Sequence, residues 1–170
     1  MPRSAVTIEK IVSGGQTGVD RAALDVALEL NVPCGGWCPK GRLAEDGPIP
    51  DRYPLQCTES SKYSRRTRLN VQESDGTLIL AIGRLTGGTA LTKSYAIKEL
   101  KPHHVVDLAS NDGLQSTLQW LVTARVKILN VAGPRASSNP DIYETACTFL
   151  RDLLHECEIE PQTKPTPTDI

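Results

Sequence analysis

The 170-residue chain contains no apolar run near the ~20 residues that a membrane-spanning helix requires. Its first five residues, Met-Pro-Arg-Ser-Ala, lack the apolar core of a secretory signal. Its five cysteines are odd in number and do not have the spacing of a disulfide framework, which is typical of a reducing compartment. We therefore expect a cytoplasmic protein that has no membrane partner.

An excess of charge of one sign is also lacking, since 19 basic residues face 20 acidic ones and the net charge is −1. No overall field attracts the chain to nucleic acid, so we expect no nucleic-acid partner. Any anion site must be local and built from loops and a few arginines. With 39% hydrophobic and 23% charged residues, the composition is that of an ordinary globular domain.

The best-known catalytic and metal-binding motifs are missing. No Gly-Lys-Ser/Thr ends a glycine-rich loop, so a magnesium-dependent nucleotide hydrolase is disfavoured, and neither Gly-x-Gly-x-x-Gly nor Gly-x-Ser-x-Gly occurs. Cys34 and Cys38 lack the two-residue spacer of a zinc knuckle, and His103 and His104 have no partner pattern. We assign no catalytic residue and no metal ligand.

Short β-type runs alternate with helical ones along the whole chain. The runs at 8–13, 32–37, 77–82, 104–108 and 127–132 predict strands, and a helical pattern follows each of them. This order predicts an α/β fold with a doubly wound, mostly parallel sheet of about five or more strands and helices on both faces. We assign residues 1–157 to one ligand-binding domain and expect the proline-rich residues 158–170 to form a disordered tail.

A glycine-rich turn, Ser13-Gly14-Gly15-Gln16-Thr17-Gly18, separates the first strand from the first helix. Its backbone N–H groups and the positive end of the helix dipole favour an anion such as a phosphate. Gln16, Thr17 and Arg21 would add side-chain donors. Thr17 and Asp20 also have the spacing of a capping box, so the alternative is that they only start the helix. We expect Gly15→Val to weaken ligand binding without unfolding the domain.

Other loops lie at the same edge of the sheet, because parallel strands joined by right-handed crossovers all end there. Gly87-Gly88-Thr89 repeats the glycine-rich turn, with a simple turn as the alternative, and Arg135 follows the fifth strand. The segment 39–61 has no periodicity, and long loops of this kind are functional or mobile. In and beside it, Lys40 and Arg42 are possible anion contacts, and Trp37 offers a stacking surface.

The second helix carries Arg65, Arg66 and Arg68. A solvated basic face is one interpretation, and a guanidinium that clamps a phosphate is the other. The candidate ligand-binding residues are Gly14, Gly15, Gln16, Thr17, Gly18, Asp20, Arg21, Trp37, Lys40, Arg42, Arg65, Arg68, Gly87, Gly88, Thr89 and Arg135.

Several of these motifs together resemble the molybdenum cofactor carrier protein family of the SLOG superfamily. They are the segment from Ser13 to Asp25, Gly36-Trp37-Cys38-Pro39-Lys40-Gly41-Arg42, Ala44-Glu45-Asp46-Gly47, Gly87-Gly88-Thr89 and Val131-Ala132-Gly133-Pro134-Arg135. The resemblance runs from about Ile11 to Leu154. It implies a Rossmann-like fold, a homo-oligomer such as a dimer or tetramer, and molybdenum cofactor, a phosphorylated pterin, as bound cargo.

A wider resemblance is to the lysine-decarboxylase-like phosphoribohydrolases. Arg65 or Arg66, Ser74-Asp75 and Gly87-Gly88-Thr89 look similar, but Thr92 stands near the position of the glutamate in that group. Our first hypothesis is therefore a non-catalytic carrier. The second is a nucleotide-processing phosphoribohydrolase in which Glu45 or Asp46 supplies the acid, and the third is a sensor of a nucleotide-derived ligand.

Overall fold

The computed structural model describes residues 5–160. Its elements, in chain order, are β1 (Thr7–Ile8), β2 (Lys10–Val12), α1 (Val19–Glu29), β3 (Cys34–Gly35), β4 (Trp37–Cys38), β5 (Leu43–Ala44), β6 (Gly47–Pro48), β7 (Gln56–Cys57), α2 (Tyr63–Gln72), β8 (Gly76–Ala81), α3 (Gly87–Lys98), β9 (His103–Asp107), α4 (Gly113–Thr123), β10 (Ile128–Ala132), α5 (Ile142–His155) and β11 (Glu158–Ile159).

Five of these strands form one sheet in the order β3-β2-β10-β8-β9, and every pairing in it is parallel. All six residues of β8 are buried, because the strand lies inside the sheet and is covered on both faces. Helix α5 packs against α1 and α4, and α2 packs against α3. The predicted α/β fold with a parallel sheet is confirmed.

The order of the strands explains where a ligand can enter. The chain runs outward from β2 to β3 and from β8 to β9, while β10 lies between β2 and β8. If the strands are counted cyclically from β8, their order becomes 2-1-3-4-5, the order of flavodoxin-like sheets. In such sheets ligands bind where the winding reverses, outside the carboxyl ends of the strands. Here that point lies between β8 and β10.

The long segment 39–61 is folded rather than structureless. Its hairpin β5–β6 is antiparallel, and β7 pairs with β4. The Arg42 guanidinium donates to four backbone carbonyls of the segment, those of Ile49, Pro50, Tyr53 and Leu55, at 2.8–3.3 Å. A small apolar cluster that includes Leu24 of α1 anchors it to the domain. One half-buried cation therefore organises a segment that has little regular secondary structure.

The last described residues return to the start of the chain. Strand β11 pairs in parallel with β1, so the first two residues of the predicted tail, Glu158 and Ile159, belong to a small sheet. The remainder of that prediction, residues 161–170, lies outside the described residues. Within residues 5–160, no helix is both long enough and apolar enough to cross a bilayer.

Candidate functional site

A cavity of about 370 Å³ lies at the carboxyl ends of β8 and β10, where the winding of the sheet reverses. Its walls come from the start of α1 with the turn before it, one face of α2, the start of α3, and the end of β10 with the loop after it. The convergence of these loops at one edge follows from the parallel sheet. A volume of this size falls in the range of small-molecule sites, ~300–1,000 Å³.

Arg66 of α2 is the buried cation of this cavity. Its side chain is only 10% exposed, and its Nη1 lies 3.4 Å from Oδ2 of Asp20, whose side chain is equally buried. The guanidinium lies directly against Gly14, since a Cβ atom there would stand 1.6 Å from Nη1. Glycine at position 14 therefore leaves the space that the guanidinium occupies. The ring of Tyr63 lies 5.5 Å below it in a cation–π contact.

Burial and neighbouring groups shift the pKa of the Asp20 carboxyl of this pair in opposite directions. Burial raises the pKa of the Asp20 carboxyl, and the Arg66 charge and the Gln16 N–H oppose that rise. Nε of Arg66 is buried and has no hydrogen-bond partner among residues 5–160. Buried donors are nearly always paired, so this nitrogen is an exception, and it belongs to a residue that lines the cavity.

The amino end of α1 is closed by the protein itself. The N–H of Gln16 donates to Asp20, the N–H of Thr17 donates to the Gln16 side chain, and the N–H of Val19 donates to the carbonyl of Pro134. The predicted capping box is wrong, because the N-cap residue is Gly18, which has a φ of 82° and makes no side-chain cap. The Thr17 hydroxyl instead accepts from a backbone N–H of the loop after β10.

The amino end of α3 is open to the cavity. No described residue accepts a hydrogen bond from the backbone N–H groups of Gly87, Gly88 and Thr89. A Cβ atom at Gly87 or Gly88 would meet nothing within 4 Å. The free N–H groups and the positive end of the helix dipole therefore point into accessible space, which suits an anion.

An amide forms part of the cavity wall. Asn130 of β10 is 3% exposed, and its Nδ2 donates to the Thr77 hydroxyl at 3.2 Å. Asn70 of α2 is equally buried, and it bonds both the N–H and the carbonyl of Trp37. The wall is thus polar although both side chains are buried, and the amide of Asn130 can also hydrogen-bond a polar ligand.

The sequence-predicted residues divide into two groups. The cavity is lined by Gly14, Gln16, Asp20, Gly87, Gly88, Thr89 and Arg135. The lining does not include Gly15, Thr17, Gly18, Arg21, Trp37, Lys40, Arg42, Arg65 or Arg68.

Several residues of the second group have other roles in the fold. Arg21 makes two hydrogen bonds to Asp46, at 2.6 and 2.8 Å. The Nε of Arg68 donates to Glu99 at 2.7 Å and ties α2 to α3, and Trp37 donates to Glu73 at 2.7 Å.

Sequence reasoning missed four buried polar residues of the lining: Arg66 (weighed only as an alternative to Arg65), Asn70, Thr92 and Asn130. Three of them, all except Thr92, carried a signal. Asn130 is the polar residue within the apolar strand Ile128–Ala132, and such an interruption indicates a polar wall. Arg66 and Asn70 are four residues apart, so they share one helix face with Val71, which is buried.

The two acids proposed for a hydrolase lie outside the lining of the cavity. The Glu45 carboxylate accepts from the Ser137 N–H at 3.1 Å and from the hydroxyls of Ser137 and Thr17. Partial burial works against ionisation of Glu45, but these hydrogen bonds outweigh it and lower its pKa. The hydrogen bonds from Arg21 likewise lower the pKa of Asp46. Glu45 therefore connects its loop to the turn before α1 and to the loop after β10, and Asp46 connects it to α1.

Comparison with known proteins agrees with this geometry. A family model described as the circularly permutated YpsA SLOG family matches residues 11–154, and the cyclic strand order described above fits a permuted sheet. The chain is similar, at 47% identity and with a TM-score of 0.86, to the crystal structure of a protein named "Putative molybdenum carrier protein" from Syntrophus aciditrophicus SB. The match covers 88% of this chain and 96% of that chain. No curated protein matches. The resemblance drawn from the sequence motifs is confirmed.

Proposed function

The chain belongs to the circularly permutated YpsA SLOG family, and from this premise we propose that it is a carrier that holds a phosphorylated cofactor in the cavity of about 370 Å³. The cargo that we propose is molybdenum cofactor. Its phosphate and oxo groups are the anions that the open helix end and the buried guanidinium are suited to bind. The name of the similar carrier protein supports this cargo.

One observation carries the proposal: Arg66, whose buried Nε has no partner among the described residues, and the open amino end of α3 line the same cavity. A phosphate there would accept hydrogen bonds from the N–H groups of Gly87 and Gly88, and its charge would balance the guanidinium. Asn130 would hydrogen-bond the polar ring. A site of this kind binds and orients its ligand.

The contacts of the acidic residues favour a carrier over an enzyme. The Glu45 carboxylate is already bonded to Ser137 of another loop, and the Asp46 carboxylate to Arg21 of α1. Asp20, which lines the cavity, is paired with Arg66 and with a backbone N–H. A carboxylate held in this way is poorly placed to pass a proton to a substrate.

A second candidate function is hydrolysis of a nucleoside monophosphate to ribose 5-phosphate and free base. The observation in its favour is the raised pKa of Asp20 inside the cavity, because perturbed acids cluster at catalytic sites. Incubation with a panel of nucleotides tests it. Release of ribose 5-phosphate that disappears in Asp20→Asn, while Glu45→Gln stays active, would establish the hydrolase and overturn the carrier.

The binding experiment compares two neighbouring arginines. Titration calorimetry under anaerobic conditions with molybdenum cofactor should show saturable binding. We expect Arg66→Lys to weaken it by ~10-fold, because lysine keeps the charge near Asp20 but loses the planar donor set. The matched control is Arg65→Lys, since Arg65 is exposed on the same helix. Equal affinities for both variants would contradict the site, and absence of saturable binding to the wild type would contradict the cargo.

We also propose that the carrier is a cytoplasmic homo-oligomer. Its outer surface carries exposed apolar side chains on α3 and β9, where Ile97 is 56% and Val105 39% exposed. Apolar groups of this kind are typical of contact surfaces. Light scattering after size exclusion should give more than one copy per particle, and Ile97→Asp should lower that number. A monomeric wild type would contradict the proposal.

A further inference from the structure

Two cysteines face each other at the base of the 39–56 loop. Cys38 ends β4 and Cys57 ends β7, and the parallel register pairs them directly. Their Sγ atoms are 3.6 Å apart, and both are free thiols. Neighbouring strands are ~4.8 Å apart, which lies inside the Cα separation that a disulfide spans. Neither residue has a part in the cavity described above.

From this juxtaposition we propose that Cys38 and Cys57 are a redox modification site, at which a peroxide converts the two thiols into a reversible disulfide. The strands already hold the two sulfur atoms in register, so bond formation needs only a small movement of the side chains. The proposal does not depend on the proposed carrier function.

The two thiols differ in a way that sets their roles. Cys57 is exposed, whereas Cys38 is completely buried. Burial raises the pKa of Cys38 to about 11, so it reacts poorly with an oxidant from solution. Cys57 is therefore the sulfur that meets the peroxide, and Cys38 is the resolving thiol.

The chemistry balances in two steps. The thiolate of Cys57 attacks hydrogen peroxide, an S–O bond forms, the O–O bond breaks, and one water leaves after protonation. The sulfur of Cys38 then attacks the resulting sulfenic acid, the S–S bond forms, the S–O bond breaks, and the hydroxide leaves as water with the thiol proton. Two thiols are oxidised by two electrons, and one peroxide is reduced to two waters. A dithiol reductant reverses the change.

The disulfide would fix the loop that covers the turn before α1. Ile49 and Leu55 of this loop lie against Gly15, where an added Cβ would stand 3.1 and 2.6 Å from their terminal carbons. The residue before Cys38, Trp37, is held through its backbone by Asn70, which lines the cavity. Oxidation therefore joins both ends of a loop that packs against the turn before α1, and Asn70 connects the residue before Cys38 to the cavity wall.

The test uses the full chain with the substitution Cys34→Ser, because Cys34 and Cys38 share the tryptic peptide 22–40, while Cys57 lies in 53–62. After stoichiometric hydrogen peroxide and alkylation of remaining thiols, mass spectrometry should find these peptides linked, with two hydrogens lost. Dithiothreitol should separate them. In the matched control Cys57→Ser, Cys38 should stay reduced and be alkylated only after denaturation.

A second readout does not depend on digestion of the denatured chain. Arg52, exposed in the loop with a side-chain exposure of 62%, is a site for limited trypsin cleavage of the folded protein. The oxidised chain should be cut more slowly there, and its fragments should stay joined until a reductant is added. Oxidation of Cys57 to sulfinic acid with Cys38 still a free thiol would overturn the proposal. Linkage of Cys57 to Cys147 or Cys157 instead would do the same.

Discussion

The glycines of the turn before α1 face protein atoms, whereas the two glycines that start α3 face open space. An added Cβ at Gly18 would stand 2.3 Å from the Pro134 carbonyl oxygen, and one at Gly15 would stand 2.6 Å from a Leu55 methyl carbon. At Gly87 and Gly88 nothing lies within 4 Å. Glycine in the turn before α1 permits close packing against other protein atoms. Glycine at the start of α3 leaves room for a ligand to reach the backbone.

The hydrogen bonds of the two helix ends differ in the same way. The N–H groups before α1 are paired with Asp20, with the Gln16 side chain and with Pro134. Those that start α3 have no acceptor among the described residues. A glycine-rich turn at a helix start therefore permits anion binding but does not establish it. The surrounding fold decides whether protein or ligand supplies the acceptor.

The largest effect should come from Gly18→Ala. Its φ of 82° is unfavourable for any residue with a Cβ, and that atom would overlap the backbone of the loop after β10. Backbone cannot yield as a side chain can, so we expect a loss of about 3 kcal/mol in the free energy of unfolding. Urea denaturation measures it. A variant as stable as the wild type would show that the turn before α1 is not packed as described.

The matching change at the start of α3 should weaken ligand binding and leave the stability of the fold intact. Gly88→Ala adds a methyl group in open space at a helical position, so the free energy of unfolding should stay the same or rise by up to ~1 kcal/mol. The new Cβ points toward the amino end of α3 and screens its N–H groups. Affinity for the phosphorylated ligand should fall ~10-fold, about 1.4 kcal/mol. Titration calorimetry on Gly18→Ala and Gly88→Ala then distinguishes a glycine needed for packing from one needed for ligand access to the backbone.

The regular elements were open to prediction from the sequence because their signals are local. The apolar stripe of α1 and the β-branched run of β8 predict these elements to within a residue or two of their bounds. Their alternation then fixes a parallel sheet, and the sheet brings the loops after its strands to one edge. That logic also led to the right part of the molecule for the cavity.

The exact contacts could not be predicted, because they depend on tertiary packing. Gly15 has the pattern of an anion cradle, yet its φ of 77° and its contact with Leu55 belong to packing. We therefore correct the expectation for Gly15→Val, which should destabilise the domain. Likewise, Arg65 and Arg66 are equivalent as sequence, and only the packing of α2 against the turn buries one of them. Arg42, a candidate anion contact, is fully engaged by carbonyls of its own segment.

The smallest effect should come from the Glu45 contact that holds the turn before α1 against the loop after β10. Glu45 joins Thr17 to Ser137, and its pKa is lowered from 4.5 by these hydrogen bonds, against partial burial. When the pKa of a carboxyl is lower in the folded state than in the unfolded state, the group stabilises the fold at any pH above its unfolded-state pKa. That contribution is lost as the pH falls through the folded-state pKa. The contact is near the surface, so its contribution should not exceed ~1 kcal/mol.

Glu45→Gln tests this contact. The variant should be less stable than the wild type at pH 7, and the difference should shrink as the pH falls below about 4.5, because protonated glutamate then resembles glutamine. Urea midpoints across pH 3–7 measure it, and hydrogen exchange should show the 39–56 loop opening first. Glu59→Gln, an exposed position of the same segment, is the control and should change little. A difference that stays constant with pH would show that the turn before α1 is closed by packing alone, without help from the charge of Glu45.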